Sequence, residues 1–404
     1  MKASLASAPP APSRRDWMNA RTERDLQTAE WLGIRLLERD PDDEAVRRFT
    51  ARLLEAEGRT DEAAEHWAAL RNRGPDDFEA AFHVAKACAA RGLSPDGAAA
   101  EAAPDANPTF RSAIAETLSA PEPDVASDFK HIAITGVAYC GSTLLDRMLG
   151  GLPGVKSTGE SHWITKVRRD DRYCDMTLSE PLDSARFVPC TGCGPHCEVL
   201  TPQFRRSLAA DNTNWYRKIA ARLGTRILVS ADKNLPKLSD KDPLLDLSAL
   251  VVFKSPEQAW RSRLEKLPVD REEAYYAEEC RTYVEVWTRA YQSCVDHFRP
   301  EGPVAFLNFD AFSRGPDRLL RGVCSALELP YDAKVLRRTV PGHAIGGNGR
   351  AMRRLRDNDY TVDLSPLPDP DLPHTHGEII ASHAGAQQIW RRMMERHDQL
   401  ARLA

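Results

Sequence analysis

From about residue 22 to 118 apolar positions recur at helical spacing. Leu53, Leu54 and Ala56 are followed across a polar turn by Ala63, Ala64 and Trp67, the pattern of paired antiparallel helices. The pattern itself repeats. Pro41-Asp42-Asp43-Glu44-Ala45 returns as Pro75-Asp76-Asp77-Phe78-Glu79-Ala80, with the prolines 34 residues apart. Gly58 and Gly92 are also 34 apart, and Asn107-Pro108 begins one more unit. Beyond Pro121–Ser127 the texture changes. Short, nearly continuous apolar runs predict strands at 131–136, 226–230, 247–253 and 304–308. Helical patterns alternate with them at 142–152, 256–265, 271–298 and 316–327. That alternation predicts a parallel sheet with helices on both faces and ligands at the carboxyl ends of its strands.

The expected organisation is therefore a disordered, Ala/Pro/Ser-rich stretch at 1–18, helical repeats at 19–120 and a linker at 121–128. An α/β domain at 129–404 follows, with a Cys-rich insertion at about 170–200. A chain of 404 residues is long enough for two cores. Its net charge of −4 excludes the broad basic face that nucleic acid requires, so no nucleic-acid partner is expected. No apolar run approaches the roughly 18 to 20 residues of a membrane span, and no signal-peptide core is present, so a cytoplasmic protein is expected. Only 12 of the 55 basic residues are Lys, which gives each Lys inside a motif added weight.

The first strand runs into Gly136-Val137-Ala138-Tyr139-Cys140-Gly141-Ser142-Thr143 and then an apolar helix. Glycines let a backbone fold round an oxyanion, and a helix N-terminus adds unpaired N–H groups. The spacing is that of a phosphate-binding loop, with Ser142 where a nucleotide triphosphatase has Lys. Lys254, at the end of the third strand, precedes Ser262 by eight residues, so a cation and a hydroxyl can bracket a second phosphate.

These segments, in this order, resemble the PAPS-dependent sulfotransferase family. Residues 139–145 are similar to its 5′-phosphosulfate loop, Lys254-Ser255-Pro256-Glu257 with Ser262 to its 3′-phosphate motif, and His343–Arg350 to a glycine-rich loop near that phosphate. The resemblance implies a P-loop-like α/β sulfotransferase fold. It implies cofactor contacts from Gly136, Tyr139, Cys140, Gly141, Ser142, Thr143, Lys254, Ser262, Gly347, Asn348 and Arg350. The cofactor is then PAPS and the product PAP. Tyr139 departs from the family, which has a basic residue there, and Lys254 replaces its usual Arg. The 34-residue period resembles tetratricopeptide (TPR) repeats, an arrangement known in front of sulfotransferases, and implies a surface for a protein or peptide.

Gly159-Glu160 resembles the Gly-Glu of tyrosylprotein sulfotransferases, whose Glu is the proposed base. Glu160 is thus the first candidate base and His162 the second. Lys233 resembles the family's lysine at the bridging oxygen and is the candidate for the charge missing at Tyr139. Cys190-x₂-Cys193-x₃-Cys197, with Cys174 upstream, has metal-ligand spacing, open to a structural zinc ion, one or two disulfides, or free thiols. The acceptor class is not legible. Two other readings stand beside this one: a TPR adaptor with a decayed catalytic domain, and a P-loop kinase, which would want Lys at 142.

Overall fold

The computed structural model describes residues 13–403, apart from 23–24, 120–127, 171, 177–182, 184–185, 212–213, 234–246, 299–301, 341, 348–353, 355–356, 358 and 366–369. The expected linker lies almost wholly outside the described residues. Seven helices come first: α1 (Arg14–Thr22), α2 (Leu26–Arg39), α3 (Glu44–Ala56), α4 (Thr60–Arg73), α5 (Phe78–Ala90), α6 (Pro95–Ala102) and α7 (Pro108–Ser119). The first corrects the expectation of disorder through residue 18. Trp17 is only 1% exposed, packed edge-on to Phe49 under the Arg21 guanidinium, and that burial holds α1 in place.

The Pro/Asp repeats serve as helix starts. Asp43 and Asp77 are N-caps whose carboxylates accept from the amides of Val46 and Ala80. Gly58 and Gly92 turn the chain at the helix ends in the left-handed conformation that favours glycine. Arg48 and Arg52 of α3 reach across to Asp77 and Glu79, tying successive repeats together.

The second half is built on a five-stranded, all-parallel sheet in the order β2-β5-β1-β6-β7. The strands are β1 (Lys130–Thr135), β2 (Val155–Ser157), β5 (Ile227–Ser230), β6 (Leu247–Phe253) and β7 (Val304–Asn308), while β3 (Lys166–Arg169) and β4 (Arg172–Asp175) form a separate antiparallel hairpin. All four predicted strands are present, and β2 adds an edge strand that the sequence reading did not predict. Successive residues point to opposite faces. Ala133, Leu228, Val251 and Phe253 join a core with Trp215, Trp260, Trp287 and Met393. Ile132, Ile134, Val229 and Leu250 join another with Leu145, Met148, Leu320 and Val323.

The covering helices are α8 (Ser142–Leu149), α9 (Pro202–Ala210), α10 (Trp215–Arg222), α11 (Pro256–Leu264), α12 (Glu273–His297), α13 (Phe309–Arg314), α14 (Pro316–Ala326), α15 (His374–Ser382) and α16 (Ala384–Arg402). The helical repeats meet this part through α9, whose Ala210 is buried among Phe78, Phe82, Phe110 and Ile114. No helix among the described residues is long and apolar enough to cross a membrane.

Candidate active site

Because the sheet is parallel, the segments following β1, β2, β5, β6 and β7 all emerge at one edge. The loop after β1 carries the backbone that a cradle requires. Gly141 has φ +105° and caps α8, and a Cβ there would drive into the Phe309 ring, so only glycine fits. Tyr139 itself adopts a left-handed φ of +69°. No side chain makes a capping hydrogen bond at the N-terminus of α8, so the positive end of the helix faces the loop. Cys140 and Ser142 are buried beneath the loop. Burial pushes the Cys140 thiol up, while Ser142, Lys233 and Lys254 oppose that rise; the two lysines follow β5 and β6, the strands on either side of β1.

Tyr291, in the middle of α12, fastens the arrangement. Its hydroxyl donates to the Val252 carbonyl at 2.8 Å and accepts from the Val137 amide at 3.3 Å, joining the loop to the neighbouring strand. A tyrosine inside a 25-residue helix gave no sign of this in the sequence.

Lys254 and Ser262 are brought together as the eight-residue spacing predicted: Nζ donates to Oγ at 3.2 Å. Ser255 caps α11, so the Lys leaves β6 as the helix turns back and Ser262 lies two turns along. Lys254 is only 7% exposed and makes no ion pair among the described residues. Burial pushes its ammonium below the usual lysine range, with Asp310 opposing. Besides Ser262, the ammonium lies over the Phe309 ring, 5.5 Å from its centroid.

Glu160 and Lys233, read separately in the sequence, form one pair. Lys233 Nζ donates to Glu160 Oε1 at 3.1 Å, and Trp163 Nε1 donates to Oε2 at 2.9 Å. His162 belongs to a second network. Its Nδ1 lies 3.1 Å from Asp232 Oδ1, and the buried Asp232 carboxylate also accepts from Tyr216 at 3.0 Å and from Ser161. Facing a carboxylate, Nδ1 is the donor, and Nε2 lies on the other side of a half-exposed ring. Neither Asp232, two residues beyond β5, nor Tyr216 was assigned to that network from the sequence.

The glycine-rich loop docks on this edge. Ile345 donates to the Thr158 carbonyl and accepts from the Glu160 amide, both at 2.8 Å. Gly159, at φ +66°, lies against the Ile345 carbonyl with no room for a Cβ. Gly346 and Gly347 take positive φ as expected of a tight loop. Asn348 and Arg350 lie outside the described residues.

The cysteine assignment needs correction. Cys174 sits on β4 with its thiol directed at the Val167 carbonyl, away from the other three. Cys190, Cys193 and Cys197 instead gather round His343, at the head of the glycine-rich loop. The pattern of residues contained that histidine, but 146 residues from Cys197 it could not be assigned by spacing.

No protein-family model matches the chain. No curated protein matches it either. Among solved structures, a sulfotransferase domain from the curacin biosynthetic pathway is similar, with 17% identity and a TM-score of 0.40 over 63% of this chain and 96% of that one.

Proposed function

We propose that the chain is a PAPS-dependent sulfotransferase, moving a sulfuryl group to a hydroxyl or amine of an acceptor. The observation that carries this reading is the convergence of three anion-directed features on one sheet edge. These are the uncapped loop–helix junction at Gly141, the buried Lys254–Ser262 pair, and Lys233. The loop from Gly136 through Thr143 would hold the 5′-phosphosulfate of PAPS by backbone N–H groups. Lys254 and Ser262 would hold the 3′-phosphate, with Gly347, Asn348 and Arg350 beside it. Ser142 in place of a P-loop Lys argues against triphosphate chemistry.

In the proposed step the acceptor oxygen or nitrogen forms a bond to sulfur. The bond from sulfur to the 5′-phosphate oxygen breaks, and its electron pair leaves with PAP. Negative charge grows on the leaving oxygen, where Lys233 would meet it. The acceptor proton goes to a base. We assign that base to Glu160. Its Oε2 is anchored by Trp163, while its Oε1 is paired with Lys233. An ammonium that turns from Glu160 toward the sulfuryl oxygens frees Oε1 to accept the proton. The Asp232–His162 pair supports a second reading, with His162 Nε2 as base and Asp232 fixing its tautomer. The helical repeats would then present a protein or peptide partner.

The test is transfer from PAPS to a panel of peptide, carbohydrate and small-molecule acceptors, read by mass spectrometry. The proposal expects an acceptor heavier by one sulfuryl group and stoichiometric PAP. A chain that sulfates nothing and is not retained on immobilised PAP is the adaptor, and one that uses ATP instead is the kinase.

A further inference from the structure

We propose that Cys190, Cys193, Cys197 and His343 bind one structural zinc ion, which pins the 342–347 loop to the strand end that carries Glu160.

The donor atoms are already arranged for it. His343 Nδ1 lies 3.3 Å from Cys197 Sγ, 3.4 Å from Cys193 Sγ and 3.8 Å from Cys190 Sγ. All four donor atoms lie within 4.8 Å of one another. A tetrahedral zinc with Zn–S of about 2.3 Å and Zn–N of about 2.0 Å requires S···N separations of about 3.5 Å. Three thiolates and an imidazole fill the four positions, which is the closed set of a structural ion rather than a catalytic one.

The backbone round the sulfurs is shaped to match. Cys190 and Gly194 exchange backbone hydrogen bonds of 3.1 and 2.9 Å, closing a tight turn that places Cys193 over Cys190. The amides of Gly192 and Cys193 point at Cys190 Sγ, and Leu200 donates to Cys197 Sγ at 3.3 Å. Amides aimed at sulfur favour thiolate ligands. A disulfide would leave one thiol over and give the imidazole no part, and these sulfurs form no disulfide in the structure.

Charge supplies an independent argument. Zinc with three thiolates and a neutral imidazole carries one net negative charge. Beside Cys190 and Cys197 lies Arg205, only 2% exposed. Its guanidinium donates to the carbonyls of Leu200, Ile164 and Val188 and makes no ion pair among the described residues. A buried guanidinium needs an anion. The metal–thiolate group provides it.

The consequence reaches the candidate active site through the backbone. Thr191 donates to the Ala344 carbonyl at 2.9 Å, and Ile345 exchanges bonds with Thr158 and Glu160. The cysteine turn, the loop and the Glu160 segment therefore lie side by side, with His343 two residues from the carbonyl that holds the Glu160 amide. Gly192 abuts the Gly342 carbonyl and leaves no space for a Cβ, so the turn and loop are in direct contact.

Elemental analysis and native mass spectrometry of the full chain, purified reduced, should find one zinc per chain. Replacing zinc by Co²⁺ in the wild-type chain should give the spectrum of a tetrahedral, thiolate-rich site, a readout that no folding defect of a variant can imitate. Cys174→Ser should keep the metal, while Cys193→Ser and His343→Ala should lose it. A wild-type chain that takes up neither zinc nor cobalt overturns the site, as does loss of metal in Cys174→Ser with retention in His343→Ala. Hydrogen exchange tests the coupling: chelation should speed exchange at the Ile345 and Glu160 amides and spare those of β1. Unchanged exchange there, or an equal rise throughout the chain, overturns the pinning. None of these readouts depends on PAPS, so their failure is separable from failure of the transferase reading.

Discussion

Asp146 lies on α8 just beyond the loop after β1, wholly buried, with Ser157 donating to one carboxylate oxygen and, among the described residues, no hydrogen bond to the other. Burial pushes its carboxyl up to about 7, against the opposing Ser157 bond. A folded-state value above the unfolded one means the fold favours the neutral acid. The stability this contributes is complete below the ordinary carboxylate range and is lost as pH rises through about 7. Urea unfolding from about pH 4 to 8 should therefore show wild type losing stability relative to Asp146→Asn, and parallel curves would count against it. The residue scale also separates the two bases. Glu160→Gln should lower kcat by about 10² to 10⁴ and leave PAP affinity nearly intact, because a base acts only on the chemical step. Lys233→Ala should likewise lower kcat more than PAPS affinity, since it meets charge that grows in the transition state. Wild-type kcat in Glu160→Gln with activity abolished in His162→Ala transfers the role to His162. Lys254 and Ser262 were legible because one helix fixes their spacing. Glu160 and Lys233 were legible as residue types but not as partners, because 73 residues of chain separate them and only the strand order joins them.

At the scale of elements, the strands were readable because each is buried on both faces and so written as an apolar run. The three-residue β2 is too short to write such a pattern, and α1 was hidden by a composition that only Trp17 contradicts. The contact between α5 and α9 was not legible at all. There His83 Nδ1 lies 2.6 Å from Glu55, and Lys86 contacts both Glu55 and Asp211 at 2.9 and 3.6 Å. Lys218 pairs with Asp211 from the other side. Burial would raise the Glu55 carboxyl, but His83 and Lys86 overcome it and hold it at about 2. Asp211 is held lower still: burial pushes it up, and Lys218 and His83 outweigh that. With its side chain only 4% exposed, Asp211 is the anion on which Lys86, Lys218 and the His83 ring converge. Removing one partner from a buried cluster leaves the others uncompensated, so Asp211→Ala should cost about 3 to 5 kcal/mol in denaturant unfolding. A loss below about 1 kcal/mol would show that the helical repeats do not depend on this cluster for docking.

For the whole molecule, the parallel sheet does the positioning. Residues scattered from 136 to 347 reach one edge because every strand points the same way, a fact about topology that no local pattern encodes. The order of motifs announced the arrangement, and the repeats in front announced a second unit with its own caps and turns. What stayed illegible was how distant segments close over the edge: the His343 loop, the cysteine turn and Tyr291. The most direct test of the account is calorimetric titration with PAP. The wild-type chain should bind it with micromolar affinity, and Lys254→Ala, checked for an unchanged thermal transition, should bind about ten- to a hundredfold more weakly, the loss expected for one charge-assisted phosphate contact of about 1.5 to 3 kcal/mol. Absence of PAP binding, or equal affinity in the two proteins, would contradict it.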